Sequence, residues 1–290
     1  MSSQFKEQQG FVTFAVNTKD TNYLELAYLQ CLNIKVTQQQ NSYAVIVDPA
    51  TNKLVTDQHR RAFDYVIVMD SMDRVFDVPY GFEATADYYT PFKETIKLES
   101  DLLFTQSIDH WWTAFRLKNV CLSTGAKTFA GLRSTVRKYR EALDANSLPD
   151  VYNGLMYFRY SRESTDFFAV ARSVFYTWAQ ISQELRQFDT IVPSTDVVYA
   201  ITAEIMGRET VTMPSMDFIN FVHMKSSFNG WSDARSWIDT VMTERDGDVI
   251  RINNLNQYAP VHYHDKSYAT RELIKYYEQR VLGWGWNATG

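Results

Sequence analysis

Short apolar runs alternate along the chain with stretches in which apolar residues recur every three or four positions. "FVTFAV" (Phe11–Val16) is β-branched and aromatic and predicts a buried strand. "NYLELAYLQCLNIKV" follows with Leu24, Ala27, Tyr28 and Leu32 on one side and Glu25 and Lys35 elsewhere, the spacing of a helix. "YAVIVD" (Tyr43–Asp48), "FDYVIVMD" (Phe63–Asp70) and "TIKLESDLLF" give further strand candidates, each running into acids. Strands separated by helical connections predict an α/β fold with a mostly parallel sheet covered on both faces. Ligands of such sheets sit at the carboxyl ends of strands, where Asp48, Asp70 and the Glu99/Asp101 pair fall.

Further along, "SIDHWWTAFR" predicts a helix whose His110 serves packing, and "NVCLST" another strand. "KTFAGLRSTVRKYREALDAN" reads as a basic loop leading into a helix, "LPDVYNGLMYFRYS" as a strand after a turn, and "TDFFAVARSVFYTWAQISQELRQF" as one amphipathic helix. "STDVVYAITAEIMG" opens on Ser194 or Thr195 as N-cap and closes on Gly207 as C-cap. The last third, from "DFINFVHMK" through "VIRINNLNQYAPVHYHDK", predicts strands and a functional loop. With no repeat, low-complexity segment or linker, residues 1–290 are expected to form a single domain.

At 290 residues and 45% hydrophobic the chain can bury a large core, and 15% aromatics leave rings to line a cleft where they meet sugars or bases. The formal charge of -5 removes any global attraction to nucleic acid, so such binding needs a local basic patch. Cys31 and Cys121 alone make no disulfide framework and suit a reducing compartment. "MSSQFKEQQGF" lacks the flank and apolar core of a signal peptide, and no run is long enough to cross a bilayer. The expectation is a soluble, cytoplasmic protein without a membrane partner; its oligomeric state is not encoded in any pattern found.

Glu99 and Asp101 interrupt an apolar run, although acids are poor strand formers and buried charge is costly. An i, i+2 spacing on a strand would point both carboxylates to one face. Two such oxygen ligands suit a divalent cation that also takes phosphate oxygens. An isolated acid-x-acid is more often a solvated strand end, so the weight falls on its context.

That context resembles the GT-A-fold glycosyltransferases. "PFKETIKLESDLLF" looks like their apolar strand ending in an Asp-x-Asp motif, and "YNGLMYFRYS" like the strand bordering their sugar pocket. "TDVVYAITA" is similar to a helix start in the glycogenin and lipopolysaccharide galactosyltransferase group. "APVHYHDK" resembles their C-terminal His and Lys motif, and "FVTFAVNTKDTNY" the first strand and loop that hold the nucleotide base. The pieces occur in family order from Phe11 to Lys266.

The resemblance implies a nucleotide-sugar-dependent glycosyltransferase, hexosyl or pentosyl, with Mn2+ or Mg2+ held by Glu99, Asp101 and His262. Donor binding, UDP-sugar favoured, then falls to Ala15, Val16, Asn17, Thr18, Lys93, Ser100, Asn153, Gly154 and the diphosphate-binding Lys266. Residues 11–125 become the nucleotide-sugar half and 126–290 the acceptor half. Asp196 or Asp150 would orient sugar hydroxyls or accept the acceptor's proton. The chain departs from the family in Glu99 for Asp, Val197 for Gln and His264 for Gly. His264 and His223 therefore stand as rivals to His262.

For the acceptor, Lys127, Arg133, Arg137, Lys138 and Arg140 interleave with Phe129 and Tyr139, a pattern able to meet phosphates and stack on bases. The same segments are similar to glycosyltransferase-like proteins of large tailed bacteriophages, which glycosylate hydroxymethylated pyrimidines in their own DNA. That implies a DNA acceptor, in the host cytoplasm if phage-encoded. The other readings are a saccharide or small-molecule acceptor, a non-catalytic nucleotide-sugar-binding protein, and a nucleotidyltransferase. Against the last, "VNTKDTNY" stands where a Gly-rich phosphate loop would follow the first strand.

Overall fold

The computed structural model describes residues 5–70, 77–133, 138–188, 190–212, 219–231 and 235–283. Its centre is a six-stranded sheet in the order β3-β2-β1-β4-β7-β6. These strands are β1 (Glu7–Ala15), β2 (Tyr43–Val47), β3 (Tyr65–Val68), β4 (Phe92–Leu98), β6 (Val120–Thr124) and β7 (Val151–Arg159). β3, β2, β1 and β4 run parallel, while β7 is antiparallel to both β4 and β6. From β1 the chain moves outward through β2 to β3, then returns to place β4 on the other side of β1. The carboxyl ends of β1 and β4 therefore flank a switch point, where open α/β sheets form their ligand crevice.

The period of two along each strand divides the core into two layers. Phe11 and Ala15 of β1, with Tyr43, Val45 and Val47 of β2, pack towards the helix Tyr23–Thr37. Val12 and Phe14, with Ala44 and Ile46, face the helices Arg162–Tyr176 and Thr195–Met206. The helix Tyr23–Thr37 is more enclosed than its apolar stripe predicts, with every position from Leu26 to Ile34 buried. A further helix, Arg271–Leu282, covers its outer side, and Asn33 donates to both Tyr277 Oη and the Phe104 carbonyl at 2.9 Å. That covering helix follows the segment expected to be strands, which ends at Lys266, and was not anticipated. The helix expected over "TDFFAVARSVFYTWAQISQELRQF" is two, Arg162–Tyr176 and Trp178–Glu184, divided at Thr177. His110 is exposed ahead of the short helix Trp111–Phe115 rather than packed within it.

Among the described residues there are also two three-stranded sheets. β5 (Leu102–Leu103), β12 (Val261–His262) and β8 (Val222–His223) form one, with β12 in the middle. It sets His262 opposite Leu102 on one side and His223 on the other. The second is a meander of β9 (Thr243–Asp246), β10 (Val249–Ile252) and β11 (Leu255–Gln257).

Candidate active site

The acidic pair is positioned by a turn. β4 ends at Leu98, and Glu99–Asp101 reverse the chain before β5, so the expected alternation along one strand is not what aligns the carboxylates. Backbone anchors fix the turn instead. Glu99 N–H donates to the Gly154 carbonyl at 3.0 Å, and Tyr263 N–H to the Asp101 carbonyl at 3.0 Å. Fully buried Gln30 donates through Nε2 to the carbonyls of Glu99 (2.6 Å) and Leu102 (2.9 Å). Its Oε1 accepts from Thr13 Oγ1 and Tyr43 Oη, both at 2.9 Å.

Glu99, Asp101 and His262 converge, with a ligand atom from each lying within 4.8 Å of the others. His262 Nε2 is 3.1 Å from Glu99 Oε2 and 3.0 Å from Asp101 Oδ2. Adjacent ligands of an octahedral Mg2+ or Mn2+ ion stand about 3.0 Å apart, given metal–oxygen distances of about 2.1 Å. Two carboxylates and an imidazole are also an appropriate donor set. His262 turns Nε2 to both carboxylates, and its buried Nδ1 has no hydrogen-bond partner among the described residues; ligation through Nε2 would put the ring proton on Nδ1. The residues fit a divalent cation.

The electrostatics are those of a buried cluster of opposite charges. Burial raises the Asp101 carboxyl, but His262 and Lys266 outweigh it and hold Asp101 far below the usual carboxylate range. Burial raises Glu99, and His262 only partly offsets it while Asp101 and Asp196 add to it. Burial would lower His262, yet Asp101 and Glu99 raise it above its ordinary value. His223, its ring centre 4.5 Å from that of His262, is pushed well below the ordinary value by burial and by the neighbouring cations. His264 is lowered to about 4 for the same reasons. Lys266 forms an ion pair with Asp101.

A cleft of about 660 Å³ opens over this cluster. Val16, Thr18, Ser100, Asn153 and Lys266 of the expected donor set line it, together with Asp196 of the expected catalytic pair. It shares Val16, Pro79, Tyr80 and Phe82 with a recess of about 340 Å³ that reaches Asp48 and Asp70. Ala15 is buried at the end of β1.

Other expected residues have structural tasks. Asn17 accepts from Leu24 N–H and donates to Asn22 Oδ1, each at 2.9 Å, fixing the start of the helix Tyr23–Thr37. Gly154 leaves room for an aromatic ring, since a Cβ there would stand 2.8 Å from Phe221 Cζ. Phe221 in turn packs on His262, ring centres 5.8 Å apart. Lys93 is the second residue of β4, at the end remote from Glu99, and is not among the residues lining the cleft. Asp150 lies off the cleft lining and binds Arg140 at 2.7 Å. Arg140 also reaches Asp196 Oδ2 (3.3 Å), whose Oδ1 takes the Asn153 N–H at 2.5 Å. Arg140, a member of the basic run, is thus buried and committed inside the protein. Arg133 is exposed, Lys127 lies beside β8, Lys138 opens the helix Lys138–Ala145, and Arg137 falls outside the described residues.

Sequence reasoning missed Glu83, Tyr23, Tyr80 and Lys225 on the cleft wall and Lys97 beneath it. Only Lys97 carried a signal, as a lone cation inside the apolar run "TIKL".

No family model matches the chain, and no curated protein does. Among solved structures, the galactosyltransferase LgtC, in complex with donor and acceptor sugar analogues, superposes with a TM-score of 0.54 at 12% identity, over 93% of this chain and 95% of that one. The fold is the GT-A glycosyltransferase fold. Mouse xyloside xylosyltransferase 1 is a weaker match, with a TM-score of 0.47 at 11% identity over 79% of this chain and 92% of that one. Within the GT-A fold, the acidic turn after β4 and the cleft at the β1/β4 switch point occupy the crevice that the strand order creates. No helix among the described residues is long and apolar enough to cross a membrane.

Proposed function

We propose that the protein is a metal-dependent glycosyltransferase that moves a sugar from a nucleoside-diphosphate sugar, UDP-sugar favoured, to an acceptor hydroxyl. The observation that carries this is the convergence of Glu99, Asp101, His262 and Lys266 at the switch-point cleft of a GT-A fold. Bound there, Mn2+ or Mg2+ would act as a Lewis acid towards charge developing on the leaving diphosphate. Lys266 adds a fixed positive charge on the same side of the cleft. Asn153 and Asp196 offer polar atoms to sugar hydroxyls, and the recess past Tyr80 and Phe82 has room for a nucleoside. Asp150 acts indirectly in this scheme: it fixes Arg140, which steadies Asp196. Occupation of the similarly folded LgtC by donor and acceptor sugar analogues supports the same use of the cleft.

The acceptor we favour is a hydroxymethylated pyrimidine in duplex DNA. Its support is the basic segment from Lys127 to Lys138, whose Arg133 side chain is 70% exposed, together with the resemblance to phage proteins. A saccharide acceptor is the second reading, favoured by the exposed Tyr80 ring at the rim, a surface on which sugars stack.

The test of transfer is thermal shift and donor hydrolysis with a panel of nucleotide sugars, with and without Mn2+. A bound donor raises the melting temperature by mass action. Asp101→Asn should abolish both the Mn2+-dependent shift and hydrolysis while the protein stays folded; full activity in that variant refutes the metal assignment. For the acceptor, neutralising Arg133, Arg137 and Lys138 should flatten the salt dependence of DNA binding by about 0.9 per lost phosphate contact. An unchanged slope transfers the case to the saccharide.

A further inference from the structure

Among the described residues Lys97 is the one lysine in the set of largest fully buried side chains, and donor chemistry does not use it directly. It points from β4 into the layer beneath the cleft floor, 5.9 Å from the ring centres of Phe14 and Tyr199. An ammonium so placed needs partners, because isolated buried charge is expensive. It has two of them. It pairs with the carboxylate of Glu83, and it donates to Asn153 Oδ1 at 2.8 Å. Asn153 Nδ2 in turn donates to Glu99 Oε1 at 3.2 Å.

The direction of this chain is fixed by what each group can do. Lysine only donates and an ionised carboxylate only accepts, so the amide between them has one satisfying orientation: oxygen towards Lys97, nitrogen towards Glu99. One oxygen of Glu99 is thereby engaged from below. The other, Oε2, is the one beside His262. The backbone of the same residues is locked as well, through Asn153 N–H on Asp196 and Glu99 N–H on the Gly154 carbonyl.

We propose that Lys97 is a positioning residue for the cation site. Acting through Asn153, it turns Glu99 so that a single carboxylate oxygen is presented to the ion. The buried cation also holds Glu83 in the cleft wall, so one side chain orders a metal ligand and part of the donor-sugar surface together. This rests on the metal-dependent reading above. It also accounts for a glutamate in the first acidic position: its longer arm reaches back to the amide of Asn153 and still leaves an oxygen for the ion.

The relay needs a donor at position 97 rather than a charge, and that separates it from a merely structural ion pair. Two double variants remove the Glu83–Lys97 charges together: Glu83→Gln with Lys97→Met, and Glu83→Gln with Lys97→Gln. Calorimetric titration with Mn2+ alone reads the site, and thermal melting reads the fold. The Met pair should bind Mn2+ about 10–100-fold more weakly than the parent, the usual cost of losing a group that orients a metal ligand. The Gln pair, which can still donate to Asn153, should stay within about threefold of the parent. Equal affinities in the two overturn the relay. Should the Met pair not fold, Asn153→Met leaves the Lys97–Glu83 pair intact and removes the amide, and Mn2+ affinity retained there overturns the proposal equally. A parent protein with no affinity for Mn2+ or nucleotide sugar refutes the transferase reading itself; a parent that binds both, beside indistinguishable variants, refutes only the role of Lys97.

Discussion

Replacing Gln30 with methionine tests whether the acidic turn is held by the helix Tyr23–Thr37. The substitution keeps nearly the same length and volume, so no cavity term enters. It does remove both donations to the carbonyls of Glu99 and Leu102 and the acceptor used by Thr13 and Tyr43. Thr13 retains the Leu98 carbonyl at 2.6 Å. Both carbonyls and the Tyr43 hydroxyl lose their Gln30 partner, at about 1 kcal/mol or somewhat more each. The expected loss is about 3–5 kcal/mol, which for a chain of this size lowers the melting temperature by roughly 10 °C. Because the freed carbonyls belong to Glu99 in the turn and to Leu102 directly after it, Mn2+ affinity should fall about tenfold in parallel. Calorimetric melting and Mn2+ titration of the same preparation read both numbers. A melting temperature within about 2 °C of the parent would show that the turn is anchored elsewhere.

Gly154→Ala should cost about 1–3 kcal/mol by thermal melting, because the new methyl group meets Phe221, itself wedged between Tyr152 and His262. A neutral result would mean that Phe221 yields without cost. His262→Ala should weaken Mn2+ binding roughly a hundredfold or more, since it removes a ligand, whereas His223→Ala should cost about tenfold or less. Calorimetry that reverses this order places the ion against β8 instead. Tyr80→Ala should raise KM for the donor while Mn2+ affinity without nucleotide stays as in the parent, because Tyr80 lines both the cleft and its recess but belongs to no ion cluster. An unchanged KM refutes its place at the donor.

The parallel strands were legible because burial on both faces leaves runs such as "YAVIVD" almost wholly apolar. The antiparallel course of β7 was not, since strand direction depends on the partners a strand finds and not on its own composition. The acids at 99 and 101 could be read as a pair, but their alignment comes from a turn held by Gln30, Gly154 and Tyr263, remote residues that no spacing rule connects. The helix Arg271–Leu282 did leave a mark, with Thr270 as N-cap and Leu273 and Tyr277 four positions apart. It went unread beside the strand-like segment before it. Asn17 and Lys93 matched a segment but not a place: one caps a helix, and the other stands at the wrong end of its strand.

Asp101 and Lys266, joined as an ion pair, are 165 residues apart. Seen from the ribosome, the acidic turn is therefore made long before its counter-charges. Glu83, Glu99 and Asp101 emerge early, and β5 has no strand to pair with until β12 arrives between it and β8. Until then Lys97 can pair with Glu83, while Glu99 and Asp101 lack His262 and Lys266. Docking of β12 closes a very long loop, whose entropic cost grows only slowly with length, and delivers His262 and Lys266 in the same event. The Glu99–Asp101–His262 cluster is thus complete only once β12 is in place. A nick within the β9–β11 meander, on a chain otherwise intact, would leave that closing step to two separate pieces.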